Sequence, residues 1–339
     1  YEGIKMLSRR GLPISIITPG INKTEIFRAL KKLSPLYGQT VLYGYPPFVK
    51  DIIDEAPEQG INLKKLHIRI STAAEAFTEE FRKYLGGQTG MKDTSRDIMN
   101  IYGTADIGAV AFETPLSVDI RKLAAKHKKF FDHIFRSAPK TPTLAQFIPE
   151  FVNFEEQDGE LLLTGENSMP LVRYAIGDHG GVIGYKEMMS LCKEHGIVLP
   201  APKAGVARLE LPFVYVFERN DFSTTLYGAQ IYPEAIREVL IKSPFNKVLT
   251  GKFTLVTKYD KNHDQYLEAN WETRKEKTIT PVMKSHLLNT VIKTMMLRHS
   301  EYKELQRFIG KRAHPKLVFW PAEDPLYFKQ GIKQSWVKK

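Results

Sequence analysis

Strand-like and helix-like apolar patterns alternate through the first hundred residues, and this alternation restricts the fold more than any other feature of the chain. Leu12-Pro13-Ile14-Ser15-Ile16-Ile17 reads as an early strand. From Thr24, Ile26, Phe27, Leu30 and Leu33 recur at helical spacing, and Thr40 to Tyr43 reads as a strand closed by Gly44. Pro46 and Pro47 suit the first turn of a second helix, whose apolar face carries Phe48, Ile52 and Ile53. A strand at Leu66 to Ile70 follows, with His67 read as a packed strand residue. Next come a helix from Thr78, with Glu79 and Glu80 in its first turn and Gly86 at its end, and a strand at Ile98 to Tyr102. The fold class expected is α/β with a parallel sheet, whose ligand chemistry belongs in the turns beyond the carboxyl ends of the strands. Three of those turns stand out: Tyr43-Gly44-Tyr45-Pro46-Pro47, Ser71-Thr72-Ala73-Ala74-Glu75 and Tyr102-Gly103-Thr104-Ala105-Asp106.

The chain has 339 residues, beyond the roughly 250 to 300 at which a single core stops growing, so two domains are expected. Between Gly159 and Tyr185 the pattern turns β-rich, with Glu160 to Thr164, Leu171 to Tyr174 and Gly181 to Tyr185 as strands of a small sheet or barrel. Past Phe213 to Phe217 come a strand, a turn and a helix from Pro233. A hairpin through Lys261 to Asp264, a long helix from Pro281 and a final strand Leu317 to Trp320 complete the order of a compact α+β domain. The division expected is 1–217 and 218–339.

Three separated motifs carry chemistry. Tyr102-Gly103-Thr104-Ala105-Asp106 is similar to the Tyr-Gly-x-Ser/Thr-Glu element of AMP-forming acyl and aryl ligases. Arg173-Tyr174-Ala175-Ile176-Gly177-Asp178, introduced by Glu160-Leu161-Leu162-Leu163-Thr164, is similar to that family's Arg-Tyr-x-x-Gly-Asp element. Arg219-Asn220-Asp221, followed by Gly228 and Ile231-Tyr232-Pro233-Glu234, resembles the hinge that opens the family's mobile C-terminal domain. Taken singly, each could be an ordinary strand-to-turn element; their joint order marks the resemblance, which is to enzymes such as the phenylacetate-CoA ligases.

The resemblance implies a partial adenylate-forming large domain, built from the parallel sheet and a small β-rich subdomain, followed by a small mobile α+β domain. Thr104, beside Tyr102 and Gly103, would meet the nucleotide α-phosphate, and Asp106 would help hold magnesium, through water because Asp replaces the family's Glu. Asp178 would accept hydrogen bonds from both ribose hydroxyls, which a carboxylate does better than a neutral group. Ala74 and Glu75 would lie along adenine, Arg219 would bond ribose or phosphate, and Asp221 would mark the pivot. Gly331-Ile332-Lys333 resembles the catalytic lysine region, although a solvated basic tail explains Lys333 as well.

The implied reaction joins a small acyl or aryl carboxylic acid to AMP at the expense of ATP, then passes the acyl group to coenzyme A. An amine acceptor, or a non-catalytic nucleotide- or partner-binding remnant, stays open. The family's Ser/Thr/Gly-rich loop for the β- and γ-phosphates has no counterpart here, since Thr18-Pro19-Gly20 is too short. With Tyr1 opening mid-pattern, the expectation is that an N-terminal part carrying that loop lies upstream and that these residues alone do not turn over substrate.

Other partners are less favoured. The net charge of +11 is spread over short runs mixed with apolar residues, such as Lys122 to Lys129, so nucleic acid is not expected. The single cysteine, Cys192, excludes an internal disulfide, and no apolar run has membrane-spanning length, so a cytoplasmic setting is expected. His127 and His133 lie too irregularly for metal ligands, no His/Cys cluster has zinc spacing, and the metal inferred is magnesium carried by ATP. A homodimer stays open as the assembly.

Overall fold

The structure is a computed structural model that describes the chain apart from residues 1, 75, 137, 139–140, 167–168, 203–207, 220–222, 234–235, 237–238, 240–243, 329–336 and 339; of residues 2–5, 47, 217–219 and 338 only the backbone is described. Three strands open the main sheet: β1 (Thr40–Gly44), β2 (Ile68–Ala73) and β3 (Ile98–Thr104), mutually parallel. Parallel neighbours need crossovers. Helix α3 (Pro46–Glu55) supplies the first and α4 (Glu79–Thr89) the second, while α2 (Lys23–Lys32) leads into β1. Their starts are encoded locally: Asn22 accepts from the Glu25 N–H, Thr78 accepts from the Phe81 N–H, and Pro46 begins α3. Phe27, Leu30, Ile52, Ile53, Phe81 and Leu85 from these helices close over Ile68, Ile70 and Ile98 as one core.

Three local expectations give way to geometry. Residues 12–17 form no strand; they follow helix α1 (Glu2–Arg9) and leave Leu12, Ile14 and Ile17 exposed, with no strand among the described residues to pair them. His67 is exposed in the turn before β2, with φ of 45°, and is not a packed strand residue. Gly86 does not end α4, which runs on to Gly90 in the left-handed conformation (φ 74°). Gly86 is instead a packing glycine, since a Cβ there would lie 2.4 Å from Thr94 Cγ2.

After β3 the chain turns back at once into β4 (Gly108–Phe112), and every later pairing in this sheet is antiparallel. With β5 (Thr143–Gln146), β6 (Val152–Gln157), β7 (Glu160–Gly165), β8 (Leu171–Ile183) and β9 (Phe213–Arg219), the described residues form a nine-stranded mixed sheet, ordered β1-β2-β3-β4-β5-β9-β8-β7-β6. The β-rich stretch is therefore the far wing of the same sheet and not a separate barrel. Leu171 to Tyr174 and Gly181 to Ile183 belong to one long strand. Helices α5 (Thr94–Asp97), α6 (Pro115–Ala124), α7 (Lys128–Phe135) and α8 (Tyr185–Glu194) complete this part, the last three covering a core around Leu144, Phe213 and Tyr215.

A second sheet of four strands follows. Its centre is the hairpin of β12 (Leu249–Tyr259) and β13 (Gln265–Thr273), flanked in parallel by β14 (Lys316–Trp320) on β13 and β15 (Val337–Lys338) on β12. Helices α9 (Pro281–Arg298) and α10 (Ser300–Ile309) pack Leu287, Val291, Met295, Tyr302 and Leu305 against Phe253 and Trp271. A short hairpin of β10 (Thr224–Leu226) and β11 (Ala229–Ile231) turns through Tyr227 and Gly228, both at positive φ. The helix expected from Pro233 lies largely outside the described residues. None of the described helices is long and apolar enough to cross a membrane.

This α+β unit meets α3 through charge. Lys50, 2% exposed, donates to Asp54 at 2.5 Å and to Asp264 at 2.9 Å. Arg312 holds Asp51 with two hydrogen bonds of 2.9 and 3.0 Å and also donates to the Tyr227 hydroxyl. Beside these pairs, Tyr45 packs on the α+β core, and a Cβ at Gly228 would stand 3.5 Å from its ring.

Candidate active site

The turns after β2 and β3 open on the same end of the sheet because the two strands are parallel, with Ala73 opposite Ile101. Ala74, the residue after β2, has φ of 75°, a left-handed conformation that costs an L-residue roughly 1 to 2 kcal/mol. Such stored strain clusters at functional turns. Tyr102, Gly103 and Thr104 end β3. Gly103 cannot be replaced cheaply, because a Cβ would lie 2.8 Å from the Gly108 carbonyl oxygen across the hairpin. Thr104 Oγ1 accepts from the Ile107 N–H at 3.0 Å, which shapes the exposed turn bearing Asp106.

Strand β8 brings the second motif onto the first. The Tyr102 hydroxyl donates to Asp178 Oδ2, and the Tyr174 hydroxyl donates to Asp106 Oδ2 at 3.2 Å. Each motif thus holds the other's carboxylate. Asp178 is 5% exposed, so its charge sits in a largely enclosed place, while Asp106 faces solvent. Gly177 precedes it at φ 81°. Next to it, Gly180 and Gly181 let β8 lie against Tyr215, where a Cβ would come within 1.9 Å of the Tyr215 carbonyl oxygen and 2.6 Å of its hydroxyl, respectively. On the other side, Arg219 is the cross-strand partner of Asp178 in the β8–β9 ladder, so the third motif arrives at the same place by backbone register.

Beneath these turns lies a sealed ion network. Arg82 on α4 is fully buried; it grips Glu113 with two bonds of 2.8 Å, Glu79 at 3.0 Å and the Ile98 carbonyl at 2.6 Å. Arg121 on α6 bonds Glu79 at 2.5 Å and the Pro142 carbonyl at 2.7 Å. Glu113 also accepts from the Asn100 N–H at 2.9 Å, and the Thr72 hydroxyl donates to the Asn100 side chain at 3.0 Å. Burial pulls the Arg82 pKa down, but Glu113 and Glu79 more than offset it and the net shift is upward. Burial dominates at Arg121, whose pKa falls. The network ties β2 and β3 to α4 and α6 and so fixes the turns that carry Ala74 and Tyr102.

Of the residues singled out in the sequence, Tyr102, Gly103, Thr104, Asp106, Asp178 and the Arg219 backbone converge, with Ala74 at the neighbouring turn. Glu75, Asp221 and Lys333 lie outside the described residues. Tyr174 and the Arg82–Glu113 support were missed; Tyr174 stood inside the Arg-Tyr-x-x-Gly-Asp motif, where its partner 68 residues away could not be read. Cys192 is no nucleophile: it is buried, and burial pushes its thiol up to about 11.

Comparison with known proteins adds the fold. No protein-family model matches the chain, and no curated protein matches it in sequence. Among solved structures, 2-hydroxyisobutyryl-CoA ligase, in complex with 2-HIB-AMP and CoA in the thioesterification state, aligns over 96% of this chain and 58% of its own, with 14% identity and a TM-score of 0.52. The fold is that of the adenylate-forming ligases. A malonyl-CoA ligase with methylmalonyl-CoA and AMP bound aligns more loosely, over 89% of this chain and 55% of its own, at 13% identity and a TM-score of 0.48. The amide bond synthetase from Marinactinospora thermotolerans does so over 91% and 53%, at 12% identity and 0.47. The chain spans little more than half the length of each.

A cleft of about 360 Å³ also lies where the α+β unit meets the large sheet, lined by Phe48, Tyr227, Gly228, Leu305 and Phe308 with Glu301 and Glu304 among its walls. It adjoins the turn after β1, on the edge of the sheet end that carries Tyr102.

Proposed function

We propose that these residues are the nucleotide-binding part of an AMP-forming carboxylic acid ligase of the phenylacetate-CoA ligase kind. The observation that carries the reading is the reciprocal pairing of Tyr102 with Asp178 and of Tyr174 with Asp106, which makes one site from two motifs otherwise far apart in the chain. Asp178 accepts the ribose hydroxyls, oriented by Tyr102; Thr104 meets the α-phosphate; Ala74 and Glu75 lie along adenine; Arg219 bonds ribose or phosphate. The division falls at 217/218, with Asp221 as the pivot of a mobile C-terminal domain and Lys333 as the cation brought to the α-phosphate.

In the reaction proposed, a substrate carboxylate oxygen attacks the α-phosphorus of ATP, and pyrophosphate leaves as the acyl–phosphate bond forms. The coenzyme A thiol then attacks the acyl carbon and AMP leaves. Positioning and charge neutralisation carry both steps, since no covalent bond to the protein forms. Bound magnesium would neutralise phosphate charge. The donor set fits an ion that keeps several waters, because Asp106 offers one exposed carboxylate already steadied by Tyr174.

Equilibrium AMP binding by the 339-residue chain tests the site. Weak binding is expected, with no acyl-adenylate formed, because the sequence offers no Ser/Thr/Gly-rich counterpart of the family's loop for the outer phosphates. Asp178→Ala should weaken AMP by ~10- to 100-fold, the worth of charged hydrogen bonds at ~1.5 to 3 kcal/mol. Equal affinity in a variant that unfolds at the native temperature would remove Asp178 from the site.

A further inference from the structure

We propose that His133, Glu194 and His195 form a binding site for a borderline divalent transition-metal ion of the zinc class, clipping α7 to α8. The sequence gives no hint of it, because 62 residues separate the two histidines. The fold brings His133, whose spacing in the sequence is too irregular to suggest a ligand, beside His195. His133 stands on the outer side of α7, and His195 is the C-cap of α8, its N–H bonded to the Leu191 carbonyl. His133 Nδ1 lies 2.9 Å from His195 Nε2, and the rings meet edge to face with centroids 5.2 Å apart. A carboxylate oxygen of Glu194 completes a group whose ligand atoms all lie within 4.8 Å of one another.

The frame is stiff. Both helices bury side chains in one core, Phe130, Ile134 and Phe135 from α7 with Met188 and Cys192 from α8. Phe130 also packs on the His195 ring at 5.6 Å, which restrains its rotation. Two facing imidazole nitrogens can share one proton between them. A tetrahedral ion with metal–nitrogen bonds of 2.0 to 2.1 Å holds its nitrogens about 3.3 Å apart, so to exchange that proton for a metal the nitrogens part by about 0.4 Å and the rings turn to aim their lone pairs at the ion instead of at each other. Both histidines would bind neutral, their protons on His133 Nε2 and His195 Nδ1.

Ligand chemistry selects the ion. Two imidazoles and one carboxylate suit zinc, cobalt, nickel or copper and not magnesium or calcium, which prefer all-oxygen shells. Three protein ligands at a partly exposed position leave the fourth place to water. The site shares no residue with the proposed nucleotide pocket, so its test does not depend on that reading.

The test uses the 339-residue chain, stripped by chelation and titrated with Co²⁺ and then Zn²⁺. One equivalent of Co²⁺ should develop visible d–d absorption that Zn²⁺ displaces. Zinc at about 100-fold over its Kd should raise the Tm by roughly 3 to 6 °C. His133→Ala, exposed and outside the core, should remove the absorption and the Tm shift while the metal-free Tm is retained; Glu194→Gln should weaken Co²⁺ by about tenfold or more. Absence of the absorption and of any zinc-dependent shift, or cobalt binding that is unchanged in both His133→Ala and His195→Ala, would overturn the proposal.

Discussion

The ion network around Arg82 and the one around Arg312 differ in what opening them would cost. The network of Arg82, Glu113, Arg121 and Glu79 draws all its charges from residues 79–121, and the side chains of Arg82, Glu113 and Arg121 are at most 2% exposed. The network of Lys50, Asp51, Asp264 and Arg312 spans up to 261 residues of sequence, and Arg312 and Asp264 are 39% and 37% exposed. Opening the first leaves charge stranded away from water. Parting the second lets half its members hydrate at once. The less easily opened network therefore sits under the turns that carry Tyr102 and Ala74, and the more easily hydrated one where the α+β unit meets α3, the distribution that the proposed mobile C-terminal domain would need.

The largest effect should come from the sealed network. Glu113→Ala leaves the buried Arg82 guanidinium with Glu79 at 3.0 Å as its remaining carboxylate and takes a second carboxylate, at 3.9 Å, from Arg121, a loss of about 3 to 5 kcal/mol for a broken buried pair. Chemical denaturation measures it. A loss below about 1 kcal/mol would mean that water or a rearranged Glu79 replaces the missing carboxylate, and the contrast between the two networks would fail.

Part of this contrast was legible in the sequence. Thr78 as an N-cap, Pro46 in a first turn and the motif spacings around Tyr102 and Asp178 are local, so the α3 and α4 starts and the candidate residues that the fold brings together could be named in advance. Leu12 to Ile17 alternates like a strand, yet strand formation needs a neighbour that local pattern does not supply. Gly86 looked like a helix stop because a glycine needed for close packing against Thr94 cannot be told from a C-cap by position alone. The antiparallel reversal after β3 hangs on one short turn. The pairings of Tyr102 with Asp178, Asp51 with Arg312 and His133 with His195 are long-range choices of partner, for which one sequence carries no local signal.

At the junction, Arg312→Ala should cost only about 1 kcal/mol or less, because its guanidinium is partly solvated and Asp51 keeps Lys23 at 3.4 Å. Its consequence should be geometric. Small-angle scattering should show a larger radius of gyration for the variant, and the loop after β12 should become easier to cleave. If stability falls as far as in Glu113→Ala while the dimensions stay native, the junction is a structural core contact and not a separable one.

The smallest effect concerns alkaline pH at the same junction. The Tyr84 hydroxyl donates to Asp54 at 2.6 Å, and Asp54 in turn accepts from Lys50. Burial, then the Asp54 bond and charge, push the Tyr84 pKa up to about 12 against the opposing charge of Lys50. Burial alone would lower Lys50, but its bonds to Asp264 and Asp54 outweigh it and its pKa also rises. Both groups are held protonated by the fold, so their contribution is complete below the ordinary values near 10 and is lost as pH rises through the raised ones. The junction should therefore hold through neutral pH and loosen only in strong alkali. Tyr84→Phe should remove a late-titrating tyrosinate from the absorbance titration and flatten the fall of stability above roughly pH 10, by a few tenths of a kcal/mol at this half-buried position. An unchanged slope in the variant, or loosening of the wild type already below about pH 9, would place the alkaline sensitivity outside the Tyr84–Asp54–Lys50 chain.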